Sequence, residues 1–181
     1  LTIDASEYQA MLKTYLASQT KEWISGTVTI DGTAYRDVGL RLKGNSSLKS
    51  VTADATIESL PWKVSLDKHV DGVQHAGIST FVIRSNSSTS ALNEAVALEL
   101  LGSAGLPTGG ATYLSLSANG STPKLRLAVE SLDDTWVAHA FTQTGVLYKA
   151  EATGDYSYRG TKASAYDDVS MSKPAKRTWP R

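Results

Sequence analysis

The sequence predicts an α+β domain, an antiparallel sheet with packed helices, and three observations predict it. Two turn pairs, Asp31-Gly32 and Asn119-Gly120, each separate runs rich in Val, Ile, Thr, Leu and aromatics, the pattern of β-hairpins. Two other stretches, 4–18 and about 90–105, repeat apolar residues at helical spacing. Hairpins interleaved with separate helices, without a fixed-period repeat, argue against a parallel βαβ sheet.

In chain order, Asp4-Ala5-Ser6-Glu7 offers an N-cap, and Tyr8, Met11, Leu12, Tyr15 and Leu16 follow on one helical face. Trp23 to Ile30 and Tyr35 to Leu42 form the first hairpin. A polar stretch then leads to a third strand at Trp62 to Leu66 and a short apolar strand at Phe81-Val82-Ile83. Thr89 or Ser90 can cap a helix carrying Leu92, Val96, Leu98, Leu100 and Leu101, with Gly105 as its stop. This helix is expected to pack on the sheet. Thr112 to Leu116 and Leu125 to Val129 make the second hairpin. Asp133-Asp134 begins a short helix through Phe141, and Val146 to Tyr148 and Tyr156 to Tyr158 read as short strands.

Length and composition narrow the function. At 181 residues and 41% hydrophobic, the chain holds one ordinary core. Its formal net charge of zero offers no overall basic field for nucleic acid or an anionic membrane. No apolar run approaches the roughly 20 residues of a spanning helix. The start, Leu1-Thr2-Ile3-Asp4, has neither an initiator Met nor signal-peptide character and reads as internal. Cysteine is absent, which removes disulfides and thiolate chemistry and leaves the redox compartment open. Sequons at Asn45, Asn86 and Asn119 are as frequent as chance allows in an Asn- and Ser-rich chain.

Familiar catalytic signatures are missing. There is no P-loop, no Gly-x-Gly-x-x-Gly, and no His-Arg-Asp or Asp-Phe-Gly set. His69, His75 and His139 lie outside any nucleophile-elbow context. The segment with chemical promise is Val38-Gly39-Leu40-Arg41-Leu42-Lys43-Gly44-Asn45-Ser46-Ser47. Here a strand delivers two cations on one face into a Gly-containing turn rich in hydroxyls and backbone N–H groups, which is a place for an anion. Read alone, the same segment also fits a hairpin edge with solvated cations.

Four further blocks follow it in order: Leu60-Pro61-Trp62-Lys63-Val64-Ser65-Leu66-Asp67, Leu92-Asn93-Glu94-Ala95-Val96-Ala97, Val129-Glu130-Ser131-Leu132-Asp133 and Gly145-Val146-Leu147-Tyr148-Lys149. Together, from about Trp23 to Asp168, they resemble the front part of the CotH family, the spore-coat-protein-H-like atypical kinases. The resemblance implies a diverged protein-kinase-like nucleotide lobe, binding of ATP with Mg²⁺ or Mn²⁺, phosphoryl transfer to protein hydroxyls, and a spore-coat, cell-surface or secreted setting. It also implies that Arg41 and Lys43 face the phosphates, that Lys63 is the strand lysine neutralising them, that Glu94 or Glu130 pairs with Lys63, and that Tyr148 stacks on adenine. Each of these has a plainer reading, such as Glu130 pairing with Arg126. The alternative function is a noncatalytic surface-binding or structural module.

The chain departs from the family pattern in two places. Around Arg84 to Ser90, Ser stands where the family has an acid, and Asn93 stands where Arg precedes the helix Glu. The carboxylates that would hold metal are expected beyond the last matching block, so residues 1–169 read as a partial, N-terminal lobe. Residues 170–181 carry Lys173, Lys176, Arg177 and Arg181 with no acid, while the rest of the chain is net −4. Read two bases later, the codons for this tail permit an acidic text, so it reads as frameshifted or as a disordered basic tail.

Overall fold

Asp4 begins the fold as the sequence predicts. Its carboxylate accepts the N–H of Ser6 (2.9 Å) and of Glu7 (3.0 Å), capping α1 (Ala5–Ser18). The helix ends at Gln19 in the left-handed region. Tyr8, Met11, Leu12 and Tyr15 form its buried stripe. The structure, a computed structural model, describes residues 1–85, 91–143 and 157–166. It divides into two units, Leu1–Leu132 and Asp133–Arg181.

The first unit is built on six strands, β1 (Trp23–Ile30), β2 (Thr33–Leu42), β3 (Trp62–Ser65), β4 (Thr80–Ile83), β5 (Ala111–Leu116) and β6 (Lys124–Glu130). They form one sheet in the order β1-β2-β3-β4-β6-β5, with every neighbouring pair antiparallel. Both expected hairpins are therefore parts of a single sheet, joined through β3 and β4. A bulge interrupts the first hairpin, because Arg36 and Asp37 together stand opposite Thr27. Asp37 takes φ 53° there.

Strand alternation separates two faces. The inner face carries Ile24, Val38, Leu40, Leu42, Trp62, Val64, Leu66 and Ile83, which cluster with the stripe of α1 and with Leu48 and Leu60. Trp62 is fully buried, its indole N–H donating to the Ile57 carbonyl at 2.8 Å. Arg126 also lies on this face. Its guanidinium donates through Nε (3.1 Å) and Nη2 to the Glu58 carbonyl, and Lys124 meets the Glu58 carboxylate at 3.1 Å. The outer face carries Trp23, Gly39, Arg41, Lys63, Val82, Val129 and Tyr113.

The sheet curls until its two ends come within reach of three residues. Thr2 bridges to Thr27 on β1. Leu1 donates to the Ser117 carbonyl (2.7 Å) and accepts from the Asn119 N–H (2.9 Å). The Asn119 side chain then clasps Ile3, accepting its N–H at 2.9 Å and donating to its carbonyl at 2.8 Å. Gly26 permits this strap, since a Cβ there would stand 2.9 Å from the Thr2 carbonyl oxygen and 2.7 Å from Leu40. Asn119→Ala is expected to cost about 2 kcal/mol, the sum of two hydrogen bonds and a φ of 49° that Asn tolerates better than Ala. Chemical denaturation measures it, and a loss below about 0.5 kcal/mol would show that the strap contributes little.

The second expected helix is present as α2 (Asn93–Ser103). It ends in a Schellman arrangement, with Gly105 at φ 77° and the Leu106 N–H reaching the Leu101 carbonyl at 3.0 Å. The expected cap, Thr89 or Ser90, lies outside the described residues. This helix does lie against β5, but shallowly: none of its residues is buried, and the buried helical stripe in the core belongs to α1. Leu and Val occur all around α2, so periodicity could not identify a packed face.

In the second unit, Asp133 caps α3 (Asp134–Ala140) by accepting the N–H of Thr135 (3.1 Å) and of Trp136 (3.4 Å), and Phe141 meets Trp136 edge-on. Ser157 and Tyr158 lie in irregular backbone where a strand was expected. The expected strand at Val146 to Tyr148 and the basic tail 170–181 lie outside the described residues.

Candidate functional site

The β1–β2 and β2–β3 registers bring Trp23, Arg41 and Lys63 into one cross-strand row on the outer face. Lys43 follows two positions along, its N–H bonded to the Pro61 carbonyl at 3.1 Å, which carries the β2–β3 pairing into the turn. The three cations chosen from sequence thus share one face and one end of adjacent strands. Cross-strand neighbours stand about 5 Å apart at Cβ, where like charges disfavour the fold unless something negative lies between or beside them.

Trp23 organises this row. The Arg41 guanidinium carbon lies 4.5 Å from its ring centroid and the Lys68 ammonium 5.1 Å. Lys68 reaches the ring because Gly39 has no side chain; a Cβ on Gly39 would fall 2.5 Å from the Lys68 stem. Stacking leaves Arg41 half-buried, and burial pulls its pKa below the usual guanidinium value, although arginine stays charged in proteins. Its Nε is buried and has no hydrogen-bond partner among the described residues. A buried charged donor left unsatisfied is costly, so this atom is where a ligand oxygen would gain most.

The turn after β2 is shaped by a third lysine. Lys21 donates to the Gly44 carbonyl (2.5 Å) and to Asn45 Oδ1 (3.3 Å), turning those oxygens toward itself. Gly44 sits at φ 138°, and Ser47 Oγ occupies the space where a Cβ would be. The backbone N–H groups of Asn45, Ser46 and Ser47 donate to no protein group among the described residues. Asp67, two residues beyond Ser65, accepts from Ser65 Oγ at 2.8 Å.

The two glutamates expected to serve Lys63 go elsewhere. Glu94, in the first turn of α2, is held by Arg84 through Nη2 (2.6 Å) and Nε (3.0 Å). Glu130 stands opposite Phe81, which stands opposite Val64, so its side chain leaves the sheet on the inner face, away from Lys63. There it accepts the Gly110 N–H at 3.1 Å. It does not meet Arg126, whose guanidinium is committed to Glu58. Tyr148 lies outside the described residues.

Among the described residues, no group of three His, Asp or Glu side chains is placed to hold a metal ion. His69 lies 3.5 Å from Ser25 Oγ, too far for a good hydrogen bond, and His75 pairs with Tyr35 (2.9 Å) beside Asp31 (3.6 Å). Sequence reasoning missed Lys21, Trp23 and Lys68 as site residues. Trp23 and Gly39 were the available signal, a large aromatic on a strand beside a residue with no side chain. No protein-family model matches the chain, and no curated protein sequence matches it.

Proposed function

We propose that the curled sheet is a nucleotide-phosphate-binding lobe, the front part of a CotH-like ATP-dependent protein kinase, in which Arg41, Lys43 and Lys63 meet the triphosphate. The observation that carries this reading is the buried, unsatisfied Nε of Arg41 beside a second cation of the same cross-strand row. The exposed N–H groups of the Asn45–Ser47 turn add donors of the kind that cradle phosphate. Phosphoryl transfer relies on positioning and charge stabilisation, and this face supplies charge. In this reading, the divalent metal and the acceptor-orienting carboxylate come from residues other than those described, and a protein hydroxyl is the acceptor.

A second reading, a noncatalytic binding module, is favoured by the Arg84–Glu94 pair, because it takes the helix carboxylate that a kinase lobe would give to its strand lysine. Titration of ATP with and without Mg²⁺, together with radiolabelled transfer to a generic protein acceptor, separates the two. The chain is expected to bind ATP weakly and to label nothing. Lys43→Ala or Arg41→Met should weaken binding roughly tenfold, the loss of one charge-assisted contact. Specific binding indifferent to both substitutions would remove the phosphate role, and labelling abolished by Lys63→Ala would show that catalysis resides in this lobe.

A further inference from the structure

We propose that Asn119-Gly120 is a site of spontaneous deamidation that the strap holds shut, so that opening of the strap sets when the chain is converted. The proposal is independent of nucleotide binding, because the site lies in the turn between β5 and β6. This is the one Asn-Gly pair in the sequence, and glycine leaves its own N–H unhindered as a nucleophile. In the reaction, the Gly120 nitrogen attacks Cγ of Asn119 and the new N–C bond closes a five-membered succinimide. The bond from Cγ to the side-chain nitrogen breaks, and that nitrogen departs as ammonia with the Gly120 proton. Water then opens the ring at either carbonyl, leaving aspartate or its isoaspartyl isomer, in which the main chain runs through the side-chain carbon.

The nucleophile is available in the folded chain. The Ser121 N–H returns to the Ala118 carbonyl at 2.9 Å, and Asn119 and Gly120 take φ of 49° and 79°, which makes a type I′ turn. Both residues are exposed, and a Cβ on Gly120 would meet nothing within 4 Å. The Gly120 N–H donates to no protein group among the described residues.

The electrophile is held away. Both polar atoms of the Asn119 amide are bonded to the Ile3 backbone, at 2.9 Å and 2.8 Å. Ile3 is anchored in the core, and Thr2 beside it exchanges two bonds with Thr27, at 2.8 Å and 2.9 Å. Attack makes Cγ tetrahedral and swings its oxygen and nitrogen out of their plane, so the paired bonds to Ile3 cannot survive it. The clasp and the Thr2 bridge use main-chain groups of residues 2 and 3, and neither uses the terminal amine. A second turn lacks this protection: Asp31 and Gly32 take φ of 47° and 82° between the paired Ile30 and Thr33, and the Asp31 side chain is 89% exposed beside His75.

Conversion runs one way. Aspartate at this position has no donor for the Ile3 carbonyl and sets a negative oxygen against it, and isoaspartate lengthens the turn by one carbon. Neither product can remake the clasp, so a brief opening becomes a permanent loosening of the strap.

The test is timed peptide mapping by mass spectrometry of the full chain in mildly alkaline buffer, folded and in urea. Position 119 should convert at least tenfold more slowly in the folded chain, the protection expected of a site reached only by local opening. Thr2→Pro, at an exposed position, removes the N–H that bonds Thr27 and leaves Ile3, Asn119 and Gly120 in place. It should speed conversion of the folded chain about fivefold, the weakening that loss of one hydrogen bond brings. Asp31→Asn places an amide in the same type of turn without a clasp, and this amide should convert at least tenfold faster than Asn119 in the same molecules, a comparison that a change in overall stability cannot produce. Converted chains, separated by charge, should lose amide-exchange protection at Ile3. The proposal is overturned if position 119 converts as fast folded as in urea, or if Thr2→Pro leaves its rate unchanged. It is equally overturned if the amide introduced at position 31 is no faster than Asn119, or if converted chains keep Ile3 protected.

Discussion

Trp62→Ala should be the most damaging single substitution in the sheet, costing about 4 kcal/mol. Trp62 is fully buried at the centre of the inner face, 6.3 Å from the Tyr8 ring, and its indole N–H satisfies the Ile57 carbonyl at 2.8 Å. Removal therefore leaves a large cavity and takes from the Ile57 carbonyl the shorter of its two bonds, the other being from the Leu60 N–H at 3.3 Å. Urea denaturation followed by circular dichroism reads the loss. Trp62→Phe separates the two contributions, since it keeps most of the volume and loses only the N–H. If Trp62→Ala costs no more than Trp62→Phe, the site collapses on truncation and the cavity account fails.

Arg126→Met should cost about 3 kcal/mol, at the upper end for hydrogen bonds from a charged donor. The guanidinium is buried on the inner face and donates twice to the Glu58 carbonyl, while Lys124 holds the Glu58 carboxylate. These contacts fasten the turn Ile57–Ser59 to β6 and so close the floor beneath Trp62. Met fills part of the stem volume but leaves the Glu58 carbonyl without its donors. Arg126→Lys should recover only part of the loss, because an ammonium cannot reproduce the two-pronged contact. Equal stability of the Met variant and wild type would show that water replaces the guanidinium there.

The fold was legible wherever a local signal and burial agreed. The Asp4 cap, the stripe of α1, the Asp31-Gly32 turn and the alternation in Trp62 to Ser65 each carry their instructions within a few residues. The union of two hairpins into one sheet was not legible, because it depends on pairing β4 with β6 across some 45 residues. The shallow seating of α2 against β5 was not legible for a related reason: its apolar residues cover every side, so the pattern marks a helix and not how deeply it packs. At the candidate site, the sequence showed Arg41, Lys43 and Lys63 and left their company undefined. Register decided that company, placing Trp23 beside Arg41 and sending Glu130 to the opposite face. A one-residue difference in strand alternation is enough to exchange those outcomes.

The strap from Leu1 to Ile3 has a kinetic meaning. Its bonds to Asn119 join residues 116 positions apart, and closing a flexible loop of that length from an open chain costs about 4 kcal/mol, more than two hydrogen bonds return. The strap therefore closes only after the sheet has brought its ends together, as a late event on the folding pathway. Asn119→Ala should accordingly hasten unfolding and leave the folding rate almost unchanged, the behaviour of a contact absent from the transition state. Resistance to opening is thus set partly by the strap of residues 1–3, while the speed of folding is set by the hairpins that the strap later fastens.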